Sequence, residues 1–245
     1  MRSNTVAGRA LSIYAASQLD ISRFHPDADV RARAEQLVAL LIPVQKAYCS
    51  DRGFESCVLG QQVLGGHGYV AEWGLEQNVR DARIAQIYEG ANGIQALDLM
   101  GRKTVRTNGE LLKVLLQEME TFEASQQDVT EMQPYLQALQ QCKAKLVTVT
   151  NLVISNAADN PNEIGAASYP YMELMGLTLY CFMWQRILAA AIVATREGRG
   201  KPNHISGLIG TGEFFLSRLL PRASSLVDEI AAGSASLMAM TADQF

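Results

Sequence analysis

The run "IYEGANGIQ", Ile87 to Gln95, sets a carboxylate, Glu89, between an aromatic residue and a glycine, with Gly93 close behind. A solvated helix face would surround a glutamate with other charges and alanine. A base that takes a proton from carbon needs a dry wall to raise its pKa toward neutrality and a small neighbour to admit substrate. Tyr88 offers the wall and Gly90 the space, which makes Glu89 the candidate base and Tyr88 and Gly90 the candidate substrate contacts.

Two other groups carry chemistry. In "QQVLGGHGY", Gln61 to Tyr69, the adjacent Gly65 and Gly66 either stop a helix with a left-handed cap or bring bare backbone to a flat or phosphorylated ligand. Gln62 beside them has an amide that donates and accepts. In "VRDARI", Val79 to Ile84, Asp81 reads as an ion-pair partner or helix cap, with Arg80 and Asp81 orienting the segment C-terminal to them. His25, His67 and His204 have no ligand spacing to one another or to cysteine, so no metal site is expected. No GxSxG nucleophile turn is present. "GLIGTGEFF", Gly207 to Phe215, lacks a preceding strand and a Gly-Lys-Ser ending, and reads as a loop feeding the last helix.

The elements that must position these residues are helices. Sustained period-2 alternation is missing, and Ala, Leu, Gln and Glu dominate the long segments, so the fold class is all-α. Helices are predicted at about 4–20, 29–50, 51–64, 75–82, 91–105, 109–126, 135–156, 170–197 and 211–232. The chemistry-bearing clusters all precede residue 106, which divides the chain into a site-bearing part, 1–105, and an accessory helical part, 106–245.

Composition narrows the function. With 48% hydrophobic residues in 245, the chain can bury a core without metal or disulfides. The net charge is -4 and the 21 Lys and Arg are dispersed, which argues against a nucleic-acid partner. Cys49, Cys57, Cys142 and Cys181 lack CxxC spacing and read as buried thiols in a reducing, cytoplasmic compartment. The first 20 residues read as an amphipathic helix rather than a signal peptide. Leu174 to Thr195 is apolar enough to test as a membrane span, but Gln185 and Arg186 fall in its middle, so a buried central helix is expected and no integral membrane segment.

The run from Gln62 through "GGHGYVAEWGLEQNVRDARIAQIYEGANGIQALDL" resembles the C-terminal signature of flavin-dependent acyl-CoA dehydrogenases. Its parts are a Gln-x-x-Gly-Gly turn, a Gly-Tyr, an Arg-Asp-Ala-Arg and an Ile-Tyr-Glu-Gly, in order within the 38-residue run. The resemblance covers roughly residues 5 to 105, and the remainder is similar to the extra C-terminal helical domain of a longer bacterial subgroup that includes enzymes of branched or thioether acyl-CoAs. It implies a helical bundle lacking its first helix, followed by a second helical bundle. It implies that Glu89 removes the α-proton of an acyl-CoA thioester while hydride passes from the β-carbon to FAD. It implies FAD contacts at Gln62, Gly65 and Gly66, usually across a subunit interface, and at Ala91 and Asn92. Ala91 departs from the threonine common at its position and has no hydroxyl to offer. A homo-oligomer, dimer or tetramer, and an electron-transfer flavoprotein as electron acceptor are implied as partners. The family's N-terminal helical domain and middle β-domain have no counterpart here, so the chain is expected to be a fragment, inactive alone, or one part of a split enzyme. The alternative, from a different class, is a non-catalytic helical oligomerisation or binding module.

Overall fold

The computed structural model describes residues 1–244, and among these no strand occurs. Helix α1 (Arg2–Phe24) folds back on α2 (Ala28–Val63) through a short turn. Asp27 caps α2, its carboxylate accepting from the Asp29 and Val30 amides at 2.8 and 3.3 Å. Arg31 closes the turn by donating to the carbonyls of His25 and Pro26 at 2.7 and 3.0 Å. Two 3-10 turns, Gly65–Gly68 and Ala71–Trp73, lead to α3 (Leu75–Ile87), which packs back along α2. Helix α4 (Asn92–Leu97) continues as a π-helical stretch, Asp98–Val105. The remainder is α5 (Glu110–Gln126), α6 (Gln133–Asp159), α7 (Asn162–Arg196), α8 (Pro202–Phe214) and α9 (Arg222–Ala231).

Helix α7 is the axis of the molecule. By length and composition it is apolar enough to cross a membrane, yet 61% of its most apolar window is buried inside the fold. Tyr171, Phe182 and Trp184 are fully enclosed, as a helix apolar on all sides requires. The polar residues in its middle are accommodated locally. Gln185 donates to the Tyr135 carbonyl, and the Arg186 guanidinium lies 5.2 and 5.6 Å from the ring centres of Tyr14 and Phe182. The expected buried central helix is therefore present. One hydrophobic core runs from Ala7 of α1 to Ile230 of α9 and crosses residue 106 without interruption. At the tightest crossing a Cβ on Gly176 of α7 would lie 2.2 Å from the Tyr48 ring of α2, so only glycine fits.

The structure corrects the predicted elements in three places. The helices expected over 29–50 and 51–64 form one helix, Ala28–Val63, and Asp51 inside it directs its carboxylate to side chains of other elements. Helix α7 starts at Asn162 and carries Pro170 inside it; the break lies at Asn160 and Pro161, where the Asn160 side chain accepts from the Asn162 amide at 3.1 Å. Gly207 to Phe214 is helical rather than a loop, and α9 begins only at Arg222. Two of the α8 glycines lie at close approaches, since a Cβ on Gly207 would meet the Arg2 guanidinium at 3.1 Å and one on Gly212 would meet Trp184 and Leu188 at 3.1 Å, while Gly210 faces open space. Cys142 and Cys181 are buried as expected, whereas Cys49 and Cys57 are only partly so.

Candidate site around the Glu89 turn

Helix α3 ends at Ile87, and the chain turns sharply before α4. Tyr88 is extended (φ -103°, ψ 165°), Glu89 is left-handed (φ 50°), Gly90 is left-handed (φ 82°), and Ala91 (φ -48°, ψ 152°) leads into α4. Glycine takes such angles freely; a glutamate there stores about 1–3 kcal/mol and stays only where its surroundings fix it. A Cβ on Gly90 would lie 2.6 Å from Gln95 Nε2, the movable end of a side chain, so it is the left-handed angle rather than space that calls for glycine. The result is a corner with Glu89 at its apex, exposed to solvent. Tyr88 is 52% exposed, so the dry wall expected of it is not formed by residues of this chain. Ile84, Ile87, Ile94 and Leu97 are exposed on the same segment, and none of α3 is buried.

Asn92 turns inward. At 4% exposure its Nδ2 lies 2.7 Å from Asp51 Oδ1, 2.9 Å from Ser50 Oγ and 3.1 Å from the Ala47 carbonyl. Its Oδ1 accepts from Lys46 Nζ at 2.7 Å. The side chain is thus committed to α2, and Asn92 presents only backbone to a ligand. Ala91, the residue before α4, has no side-chain donor, so both positions can meet a cofactor only through main-chain groups.

Asp51, Gln86, Lys46 and Tyr169 belong to this cluster and were not singled out from the sequence. Gln86 Nε2 donates to Asp51 Oδ1 at 2.6 Å, and the Tyr169 hydroxyl, from α7, donates to Asp51 Oδ2 at 2.6 Å. Burial and then the bond to Asp51 hold the Tyr169 phenol well above its ordinary range. The neighbouring Arg52 is 3.2 Å from Glu173 and 2.9 Å from Glu55. Burial pushes the Glu173 carboxyl up, against the pull of Arg52. Arg80 and Asp81 lie inside α3, where Asp81 accepts from Gln77 at 2.7 Å and neither caps the helix nor pairs with Arg80. On either side of the Glu89 turn it is Gln86 and Asn92 whose side chains bond to the body of the fold.

The glycine doublet lies elsewhere. Gly65 (φ 57°) supplies the left-handed residue just past α2, and a Cβ on Gly68 would strike the Gln61 carbonyl at 2.3 Å. Gly66 has nothing within 4 Å of a built Cβ, and the Gln62 side chain is exposed. Bare backbone and an amide are therefore offered outward together, as a flat or phosphorylated ligand requires. Asp51 and Gln62 are separated by about 16 Å along α2 at 1.5 Å per residue, so within one copy the two clusters stand apart.

The chain matches the family descriptions "Acyl-CoA dehydrogenase, C-terminal domain" over residues 5–103 and "Acetyl-CoA dehydrogenase C-terminal like" over residues 115–241. It is 32% identical over 227 residues to a 3-methylmercaptopropionyl-CoA dehydrogenase of Ruegeria pomeroyi, covering 92% of this chain and 38% of the relative. It is 27% identical over 226 residues to a broad-specificity linear acyl-CoA dehydrogenase of Mycobacterium tuberculosis, covering 89% of this chain and 37% of the relative. A butyryl-CoA dehydrogenase of Syntrophomonas wolfei is 34% identical over 109 residues, 44% of this chain and 18% of the relative. The chain thus spans under two fifths of the length of these relatives. Together with the all-α bundle and the Tyr-Glu-Gly corner, these matches place the chain in the acyl-CoA dehydrogenase family.

Proposed function

We propose that this chain supplies the catalytic-base portion of an FAD-dependent acyl-CoA dehydrogenase that desaturates the α,β bond of an acyl thioester. The observation that carries the reading is the corner itself: Glu89 is fixed at a left-handed apex, open to an incoming molecule, with Gly90 beside it. Residues 1–105 carry the site and residues 106–245 form the accessory part.

The carboxylate of Glu89 takes the α-proton, the α C–H electrons become the new carbon–carbon π bond, and hydride leaves the β-carbon with its electron pair. FAD, when bound, supplies the acceptor for that hydride. No backbone carbonyl among the described residues accepts from the Glu89 N–H, which leaves it free to donate to the thioester oxygen as negative charge develops there. Gln62, Gly65 and Gly66 fit the adenosine end of FAD, since the Gln62 side chain is exposed and the space a Cβ would take at Gly65 or Gly66 is open, the Gly66 carbonyl being taken by the Tyr69 N–H at 3.2 Å. Ala91 and Asn92 would contribute main-chain groups only.

The exposed Ile84, Ile87 and Tyr88 need a cover to dry the carboxylate, and the doublet is remote from Glu89 within one copy. Both facts support a homo-oligomer, dimer or tetramer, working with further domains. An electron-transfer flavoprotein is the proposed acceptor of the reducing equivalents, and the cytoplasm the proposed location.

The test is flavin uptake followed by turnover. The chain, supplied with the N-terminal and middle domains of its family, should take up FAD, show absorbance in the flavin band and convert a saturated acyl-CoA to its enoyl-CoA. A colourless preparation that takes up no added FAD even with those domains present would overturn the reading. It would favour the second one, a non-catalytic helical module, to which the exposed apolar side chains on α3 and α4 also lend support.

A further inference from the structure

A strained corner does not hold itself. The residues on either side of it, Gln86 and Asn92, are both tied to the same buried carboxylate, Asp51, which is 7% exposed in the middle of α2. One oxygen, Oδ1, accepts from Gln86 at 2.6 Å and from Asn92 at 2.7 Å; the other, Oδ2, accepts from the Tyr169 hydroxyl of α7 at 2.6 Å. An ionised carboxylate has about four lone-pair sites and no donor, so it takes three donors without competition. Hydrogen bonds to it are short and strong. A neutral amide in its place would turn one face into a donor and clash with at least one of the three.

The two ends of Ile87–Ala91 are therefore both tied to Asp51, the Asn92 end being held also by Ser50, the Ala47 carbonyl and Lys46, and the backbone between them carries the left-handed angles of Glu89 and Gly90. Releasing either end lets Glu89 relax to the extended or helical backbone that a side chain prefers. The third ligand of the carboxylate comes from the accessory part of the chain. We propose that Asp51 is the positioning residue of the Glu89 corner and that Tyr169 is the link through which the accessory helices fix the base. Neither residue touches substrate. The functional half of this statement rests on the reading of Glu89 as base; the geometric half does not.

Hydrogen exchange in the full 245-residue chain tests the geometry directly. Asp51→Ala should raise exchange at the amides of Tyr88, Ile94 and Gln95, which donate to the Ile84 and Ala91 carbonyls, by about tenfold or more relative to the amides of α6, a local opening free energy lower by about 1.4 kcal/mol. An unchanged corner, or a rise shared equally by α6, would overturn the proposal. Where Asp51→Ala does not fold, Tyr169→Phe decides: the ring is partly exposed and only one hydrogen bond is lost, so the corner alone should exchange several-fold faster. No change in that variant overturns the role of Tyr169. For the functional half, the chain joined to its companion domains is assayed with butyryl-CoA. Tyr169→Phe should lower kcat several-fold with KM unchanged, and a raised KM with unchanged kcat would contradict a positioning role. Faster exchange at the corner alongside normal turnover of a Glu89→Gln enzyme would sink the base reading and leave the geometric one standing.

Discussion

Asn92 separates a structural account of its side chain from one in which that side chain serves a cofactor. Replacing it by Ala removes a charge-assisted bond to Asp51, a bond to the Ala47 carbonyl or Ser50 hydroxyl, and the bond accepted from Lys46. Bonds with an ionised partner contribute about 1.5–3 kcal/mol net and neutral ones about 0.5–1.5 kcal/mol, so their lower ends total about 3.5 kcal/mol. The lower ends apply because Lys46 is half-exposed and water can reach it. A loss of that size is a large part of the about 5–15 kcal/mol that holds a folded chain together. Urea unfolding of the flavin-free chain, followed by circular dichroism, should show a lowered midpoint at unchanged slope. Asn92→Asp should fall further, since it sets a second carboxylate against Asp51. A loss under about 1 kcal/mol for Asn92→Ala would mean that these bonds contribute little, and would refute the reasoning.

Gly176→Ala should cost about 1–3 kcal/mol or more through overpacking against Tyr48, while Gly53→Ala, at an open site in α2, should gain up to about 1 kcal/mol; equal effects in thermal melts would contradict the packing described. Gly68→Ala should loosen the doublet turn, because its Cβ would strike the Gln61 carbonyl, and limited proteolysis between residues 62 and 74 should quicken; unchanged cleavage would contradict this. Burial raises the folded-state pKa of Glu173, so the folded chain binds that proton more tightly than the unfolded one. The contribution is full below the unfolded carboxyl value of about 4.3 and is lost as pH rises through the folded value. Unfolding free energy of the parent chain minus that of Glu173→Gln should therefore decline across that window, and a difference that rises would contradict the sign.

The all-α class was legible because helix formers dominate runs too long for any strand. The corner was legible too, since Gly90 beside Tyr-Glu marks a backbone that leaves the helix. Helix α8 was missed because its glycines look like a loop until Arg2 is seen against Gly207, and Trp184 and Leu188 against Gly212. The Asp51 cluster was hidden for a different reason. Its partners lie 35, 41 and 118 residues away in the chain, and no local period links a helix-interior aspartate to a tyrosine on α7.

Glu89→Gln tests the central claim most directly, in the chain assembled with its companion domains and FAD, with butyryl-CoA as substrate. The glutamine keeps the shape of the corner and removes the basic oxygen. Flavin absorbance and ligand binding should persist while turnover falls by several orders of magnitude; turnover at the parent rate would show that the proton is taken by another group.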